Sequence, residues 1–181
     1  MRQIVRGLMI GALALTASAG SATTVSAAEE GTPSADQQAI YKLHLTNQAE
    51  IELGRLAQQK GQSEDVRQYG QQLSSDHSAS NQEVQQVAQE AGIQLSAAPK
   101  ELSKDREEMQ KKLDQLQQAQ NDDFDREFLD AMVDSHKRTI DKLSRLQQDV
   151  QDPTVRQLID RSLPKLQQHQ DQAEQLKRQI V

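Results

Sequence analysis

Four stretches of the chain repeat apolar residues at intervals of three and four, the spacing of a helix with one buried face. The first runs from Asp36 to Lys60. Leu43, Ala49, Leu53, Leu56 and Ala57 share one side of a helical wheel, while Tyr41, His44, Gln48, Glu52 and Arg55 share the other. Glu50 falls on the apolar side, between Leu43 and Ala57. Gly61 ends this stretch and Ser63 is placed to cap the next. The second runs from Glu64 to Ala91 with Val66, Tyr69, Gly70, Leu73, His77, Val84, Val87, Ala88 and Ala91 in one stripe, so that His77 sits at its centre. Gly92 ends it, with Ile93 covering the end. The third, Asp122–Val150, aligns Phe128, Met132, Ser135, His136, Thr139, Leu143, Leu146 and Val150. The fourth opens on Asp152-Pro153, a capping acid before a first-turn proline, and aligns Val155, Leu158, Ser162, Leu166, His169, Ala173, Leu176 and Ile180. Pro164 inside it predicts a kink or an interruption, because proline removes one backbone bond and crowds the preceding turn.

Short turns after Lys60 and Val150 make each pair of stretches an antiparallel hairpin. Leu53-Gly54-Arg55-Leu56 followed by Val66-Arg67-Gln68 parallels Leu143-Ser144-Arg145-Leu146 followed by Val155-Arg156-Gln157, a weak internal repeat about 90 residues apart. Between the hairpins lies a connection over 93–121, opened by Pro99. Leu102, Met109, Leu113 and Leu116 recur in it at helical spacing among charges, which predicts a thin amphipathic helix. A connection of that length can travel the length of a bundle. The predicted fold is therefore all-α: a ferritin-like four-helix bundle of two antiparallel hairpins with a long, partly helical crossover.

The N-terminus breaks the pattern. Arg2 and Arg6 precede an apolar run from Gly7 to Ala19, and small residues lead to Val25-Ser26-Ala27-Ala28. This is a secretory signal peptide over residues 1–27, cut after Ala27 or Ala28, because the run is short of the ~20 residues a membrane span needs. No Cys follows it to carry a lipid. Residues 28–35, small and polar, read as a disordered lead-in, and residues 36–181 as one bundle domain. The mature protein is expected in the periplasm or secreted, with no stable membrane anchor after cleavage.

Composition narrows the chemistry. The 181 residues carry a formal net charge of −6, and loss of Arg2 and Arg6 with the leader takes it to −8. An acidic chain with no basic stripe is expected to bind no nucleic acid. The absence of Cys removes disulfides, thiolate catalysis and iron–sulfur clusters. Only 2% of residues are aromatic, so the core must be mostly Leu, Ile, Val, Ala and Met. No nucleophile motif or Gly-rich phosphate loop occurs, which argues against an enzyme. Neither a protein partner nor an oligomeric state is assigned by these patterns.

One constellation remains. Glu50, His77, His136 and His169 lie on four different helices, each within a buried stripe, and a rise of ~1.5 Å per residue puts all four near mid-height. Of the four histidines only His44 faces out. Imidazoles and one carboxylate suit a single transition-metal ion such as Zn, Fe, Cu, Ni or Mn, with Asp125 as a candidate fifth ligand or a second acceptor. Too few inward acids are present for a di-iron centre, and no Glu-x-x-His motif occurs. The competing reading is a polar network in which buried, neutral histidines donate to Glu50, Ser135, Ser162, Asn81 or Tyr69. A third reading is a pH sensor, in which protonation of clustered imidazoles loosens the bundle.

The motifs Glu50-Ile51-Glu52-Leu53-Gly54-Arg55-Leu56-Ala57, Asp76-His77 with Asn81, Phe124-Asp125, Met132-Val133 before His136, and Leu163-Pro164-Lys165-Leu166 before His169 resemble the bacterial domain-of-unknown-function family 4142. The resemblance spans roughly Asp36 to Leu176 and implies an exported, ferritin-like protein. Ser135 stands where relatives often carry an acid, and Asn121-Asp122-Asp123 where they tend to carry Gly. Two functions stay open at this point: an envelope protein binding a transition metal through its core His/Glu cluster, or a non-enzymatic structural or stress-related periplasmic protein with a polar His network.

Overall fold

The computed structural model describes residues 32–96 and 102–180. The expected leader over 1–27, and Pro99, lie outside those residues. Five helices are present and, among the described residues, no strand: α1 (Ala35–Lys60), α2 (Glu64–Glu90), α3 (Ser103–Gln118), α4 (Asn121–Leu146) and α5 (Pro153–Gln179). No helix among them is long and apolar enough to cross a membrane.

The helix ends follow from local sequence. Ser34 and Gln37 form a reciprocal capping box, Ser34 Oγ accepting from the Gln37 N–H and Gln37 Oε1 from the Ser34 N–H. Ala35 is thus already helical, and the expected lead-in gives way to structure at Ser34. Ser63 caps α2. At the other end of α2, Gly92 takes φ +69° while the Gly92 and Ile93 N–H groups donate back to Gln89 and Ala88. That closing geometry needs a residue at ease in the left-handed region. Asp152 caps α5 through the Thr154 and Val155 N–H groups.

α1 pairs with α2 and α4 with α5, while α1 lies along α4 and α2 along α5. Cross-links between hairpins set the direction. Asp36, at the start of α1, accepts from the Gln151 and Asp152 N–H groups in the α4–α5 turn. Asp125, at the start of α4, accepts from the Gln62 and Ser63 N–H groups in the α1–α2 turn. The hairpin turns therefore sit at opposite ends of the bundle, and α1 and α4 run antiparallel. α3 makes this possible by descending the whole length. Near its start Asp105 pairs with Lys42 of α1; at its end the Leu116, Gln117 and Ala119 carbonyls accept from Lys60 Nζ. A cation on the last carbonyls of a helix also meets the favourable end of its dipole. The expected all-α plan of two hairpins and a helical crossover is the fold observed.

Three expectations are corrected. Tyr41 was assigned to a wet face; it is 5% exposed, and its hydroxyl donates to the Gln94 carbonyl. α3 and the segment before it cover that outer face, so Ala39 to Leu43 are buried without a break. Pro164 does not interrupt α5, which continues to Gln179. It lies on the exposed side, where water can serve the backbone carbonyl left without a donor. The helix expected to reach Val150 ends at Leu146, and the chain turns over 147–149 with Val150 still buried.

The core has two apolar halves. One joins Ile40, Leu43, Val84, Val87, Leu143, Leu158 and Ile159. The other joins Leu53, Tyr69, Leu73, Phe124, Phe128, Leu129 and Met132. Below mid-height α1 and α2 touch backbone to backbone. A Cβ on Gly54 would fall 2.6 Å from the Gly70 carbonyl oxygen, and one on Gly70 would fall 2.7 Å from that of Gly54. Between the apolar halves lie Thr46, Asn47, Glu50, His77, His136, Thr139, Ser162 and His169, all buried.

Candidate metal centre

Four helices each contribute one arm to this polar layer. α1 supplies Asn47 and, one turn on, Glu50; α2 supplies Asp76 and His77; α4 supplies Ser135, His136 and the Met132 carbonyl; α5 supplies His169. Opposed turns bring these positions to one height, since each lies about half a helix from its own end. Glu50 and His136 are fully buried, and His77 and His169 are each 3% exposed.

The three imidazoles cluster with ring centroids 5.1–5.7 Å apart, His136 and His169 edge to face and His77 tilted against both. One ligand atom from each lies within 4.8 Å of the others. Glu50 Oε2 sits 2.8 Å from His77 Nε2 and 3.0 Å from His136 Nε2. Its other oxygen, Oε1, accepts from the Ser135 hydroxyl at 2.7 Å.

Outer hydrogen bonds decide which ring nitrogens carry protons. His77 Nδ1 faces Asn47 Oδ1 at 2.8 Å, and the Asn47 amide nitrogen is turned to Ser80 Oγ, so Nδ1 must donate. His136 Nδ1 faces the Met132 carbonyl at 2.8 Å and must donate as well. His169 Nε2 faces Asp76 Oδ2 at 3.0 Å and donates to it. In the neutral rings the remaining nitrogens, His77 Nε2, His136 Nε2 and His169 Nδ1, present lone pairs. Among the described residues, these three atoms and Glu50 Oε2 are the buried side-chain atoms with no hydrogen-bond partner while the rings are neutral; His77 Nε2 and His136 Nε2 stand close enough to Oε2 to donate to it once protonated.

Four acceptors turned toward one another in a dry core repel and gain nothing unless a cation joins them. Protons serve poorly. For His77 and His136 both to donate to Glu50 Oε2, both rings must be cationic beside a third imidazole. One metal ion satisfies all four atoms at once. Ligand atoms on bonds of about 2.0–2.1 Å in a tetrahedron stand about 3.3 Å apart, so Glu50 Oε2, 2.8 and 3.0 Å from its two nitrogens, would have to give a little, and the imidazole atoms need only lie within the 4.8 Å they already share. The outer partners Asn47, Met132 carbonyl, Asp76 and Ser135 are the orienting bonds that metal-binding histidines and carboxylates ordinarily make.

The electrostatics favour a charged Glu50, which serves a bound cation and a Glu50–His136 pair alike. Burial pushes the Glu50 carboxyl up, but His136 and His77 outweigh it and hold the group well below the ordinary carboxylate range. Burial depresses His136, but the Glu50 charge, with the hydrogen bond a protonated Nε2 makes to it, raises the group above an ordinary histidine. His169 is lowered, chiefly by burial, despite Asp76. Burial and the Glu50 charge raise the Tyr69 phenol far out of reach, so it stays protonated and donates to the His169 carbonyl.

Of the residues singled out from sequence, Glu50, His77, His136 and His169 are brought together. Asp125 is not. It lies ~16 Å along α4 from His136, and both its oxygens are taken by the α1–α2 turn, so it is a structural clip and not a ligand. His44 is half-buried and bonded to Asn81 outside the cluster. Sequence reasoning missed Asn47 and Asp76 as outer partners. Asn47 had a signal, its place one turn before Glu50 on the same face; Asp76, pointing well away from His77 around α2, had none within its own helix.

Fold and site together define an all-α bundle with a buried imidazole–carboxylate cluster at its centre. The chain belongs to the family described as Domain of unknown function (DUF4142), whose model matches residues 21–176. Among solved structures it is similar to CopM in the Cu(II)-bound form, at 21% identity and a TM-score of 0.65, over 81% of this chain and 97% of that one. It is similar to CopM in the Cu(I)-bound form at 23% identity and a TM-score of 0.63, over 80% and 96%. The co-crystallised Ag-bound form of CopM matches with the same identity, score and coverage. At these identities the likeness is one of fold. No curated protein sequence matches the chain.

Proposed function

We propose that this protein is an exported metal-binding protein that holds one transition-metal ion in the bundle core, through His77, His136, His169 and Glu50. The observation that carries the reading is the convergence of four buried, unpartnered lone pairs whose outer neighbours are all satisfied. Three imidazoles and one carboxylate form a nitrogen-rich, borderline-hard donor set with no sulfur in it. Such a set favours divalent ions over Cu(I) or Ag(I), and among divalent first-row ions Cu(II) binds tightest. Copper and silver bound to similarly folded CopM support a copper-class cargo.

The role that fits is holding, not turnover. All donors come from the chain, the cluster is enclosed, and Ser135 occupies the second Glu50 oxygen. A site without an open coordination position is built to retain its ion. The leader expected from the sequence would carry that ion to the periplasm or outside the cell, which suits sequestration of an excess metal in the envelope.

The test is the metal content of the mature protein, purified from periplasm without chelator or affinity tag. About one ion per chain is expected, lost in His77→Ala and His136→Ala. A protein that carries no ion and shows no thermal shift with added copper, zinc, iron, nickel or manganese would sink the reading. The structural alternative, a Glu50–His136 pair inside a polar network, would then stand.

A further inference from the structure

Two of the three histidines point Nε2 inward, while His169 points Nδ1. The difference originates outside the cluster. His77 and His136 are held through Nδ1 by Asn47 and the Met132 carbonyl, groups buried with them. His169 is held through Nε2 by Asp76, whose side chain is 42% exposed against 3% for the imidazole. The His169 ring thus spans the whole wall between α2 and α5, from a wet carboxylate to an unpartnered buried lone pair.

Resting on the metal reading above, we infer that Asp76 is a positioning residue of the centre: it holds the His169 proton on Nε2 and so makes Nδ1 the donor atom. A neutral imidazole has one proton to place. Nothing else described within hydrogen-bond distance of His169 Nε2 competes for it. Were the proton on Nδ1, an N–H would point at two imidazoles and a cation site, and His169 could not coordinate. Asp76 therefore selects the binding-competent tautomer, and the Tyr69 hydroxyl on the His169 carbonyl steadies the backbone beneath it. Because Asp76 is half-exposed and meets the core only through its bond to His169, its substitution leaves the bundle folded.

The experiment pairs Asp76→Ala with Asp76→Asn, since the Asn oxygen can accept the same proton. Ring nitrogens of 15N-labelled, metal-free protein are read by NMR near neutral pH. Cu(II) and Zn(II) affinities are then measured by competition with a chelator. Wild type should show the His169 proton on Nε2. Asp76→Ala should show mixed tautomers and affinity lower by about 10–100-fold, the usual effect of losing an outer partner. Asp76→Asn should restore the tautomer and bring affinity back to within a few-fold. A wild-type proton on Nδ1, an unchanged tautomer in Asp76→Ala, or an Asn variant as weak as the Ala variant would each overturn the inference. The tautomer is read without metal, so a wild type that binds neither ion would sink the metal reading while leaving the Asp76 assignment to be decided by NMR.

Discussion

The two apolar halves of the core and the polar layer between them are built from the same four helices and buried to the same degree, yet they obey different rules. In the halves, Ile40, Leu158 and Ile159 on one side and Phe124, Phe128 and Leu73 on the other remove hydrocarbon from water, and close packing is the whole account. In the layer, Glu50 and three histidines give up hydration that a folded chain ordinarily recovers group by group. Recovery here is one-sided. The outward-facing atoms, His77 Nδ1, His136 Nδ1, His169 Nε2 and Glu50 Oε1, are bonded, and the inward-facing atoms are not. A packing fault would leave orphans scattered. Here they gather at one point, each held there by a satisfied neighbour, and that convergence is what the metal proposal rests on.

The contrast can be broken most forcefully from the apolar side. Phe128→Ala should cost about 3–5 kcal/mol in urea unfolding, as large aromatic truncations do. The refolded fraction should still carry its full complement of metal, because the layer is positioned by helix register and not by that ring. Loss of metal in proportion to stability would show that layer and core are one unit.

Next in size is the layer itself. His77→Leu takes the donor from buried Asn47 Oδ1 and an imidazole from beside Glu50, so metal-free stability should fall by about 1–3 kcal/mol. It should abolish the ion's stabilisation, which amounts to about 2.7 kcal/mol at a hundredfold excess over the dissociation constant. A variant that keeps the ion's stabilisation would remove His77 from the site. Ser135→Ala is smaller again. It strips the donor from Glu50 Oε1 and should cost about 1–3 kcal/mol without metal, less where water replaces the hydroxyl. A variant matching wild type in both thermal midpoint and metal affinity would remove Ser135 from the site.

The mildest probe is pH on the metal-free protein. Glu50 is held below its ordinary 4.5, so its contribution is complete above that value and is lost as pH falls through its lower folded value. His136 is raised above its ordinary 6.5, so its contribution is complete below 6.5 and is lost as pH rises through its folded value. His169 is lowered, so the folded state resists its protonation and loses stability as pH falls below 6.5. Replacing His169 by Gln should flatten the decline of the urea midpoint just below pH 6.5. An unchanged decline would acquit His169. In metal-loaded protein the same acidification should release the ion, because imidazoles bind it only when neutral.

Much of this was legible beforehand. Apolar spacing located every long helix, and the caps at Ser63, Gly92 and Asp152 were visible as residues. The histidines and Glu50 announced themselves by sitting on apolar stripes where a polar residue is costly. Asp125 shared that appearance and misled. Its true counterpart was Asp36, about 90 residues earlier at the same place in the internal repeat; each clips the turn of the opposite hairpin. The repeat was detectable, but its meaning depended on turns at opposite ends of the bundle, which no local signal records. Tyr41 was misplaced for a related reason. Periodicity describes one buried face per helix, and α1 has a second, covered by α3.

What the sequence by itself determined is the set of helices, their apolar faces and the four residues that those faces carry inward, because helix period and the cost of burying a polar group are local properties. Only the tertiary structure decided the rest. Packing of the hairpins brought four arms to one height, and partners on neighbouring helices, Asn47 for His77 and Asp76 for His169, chose which nitrogen of each ring turned inward. A tautomer is settled by what stands across from it: for His136 that is the Met132 carbonyl of its own helix, but for His77 and His169 the partner comes from another helix, far away along the chain.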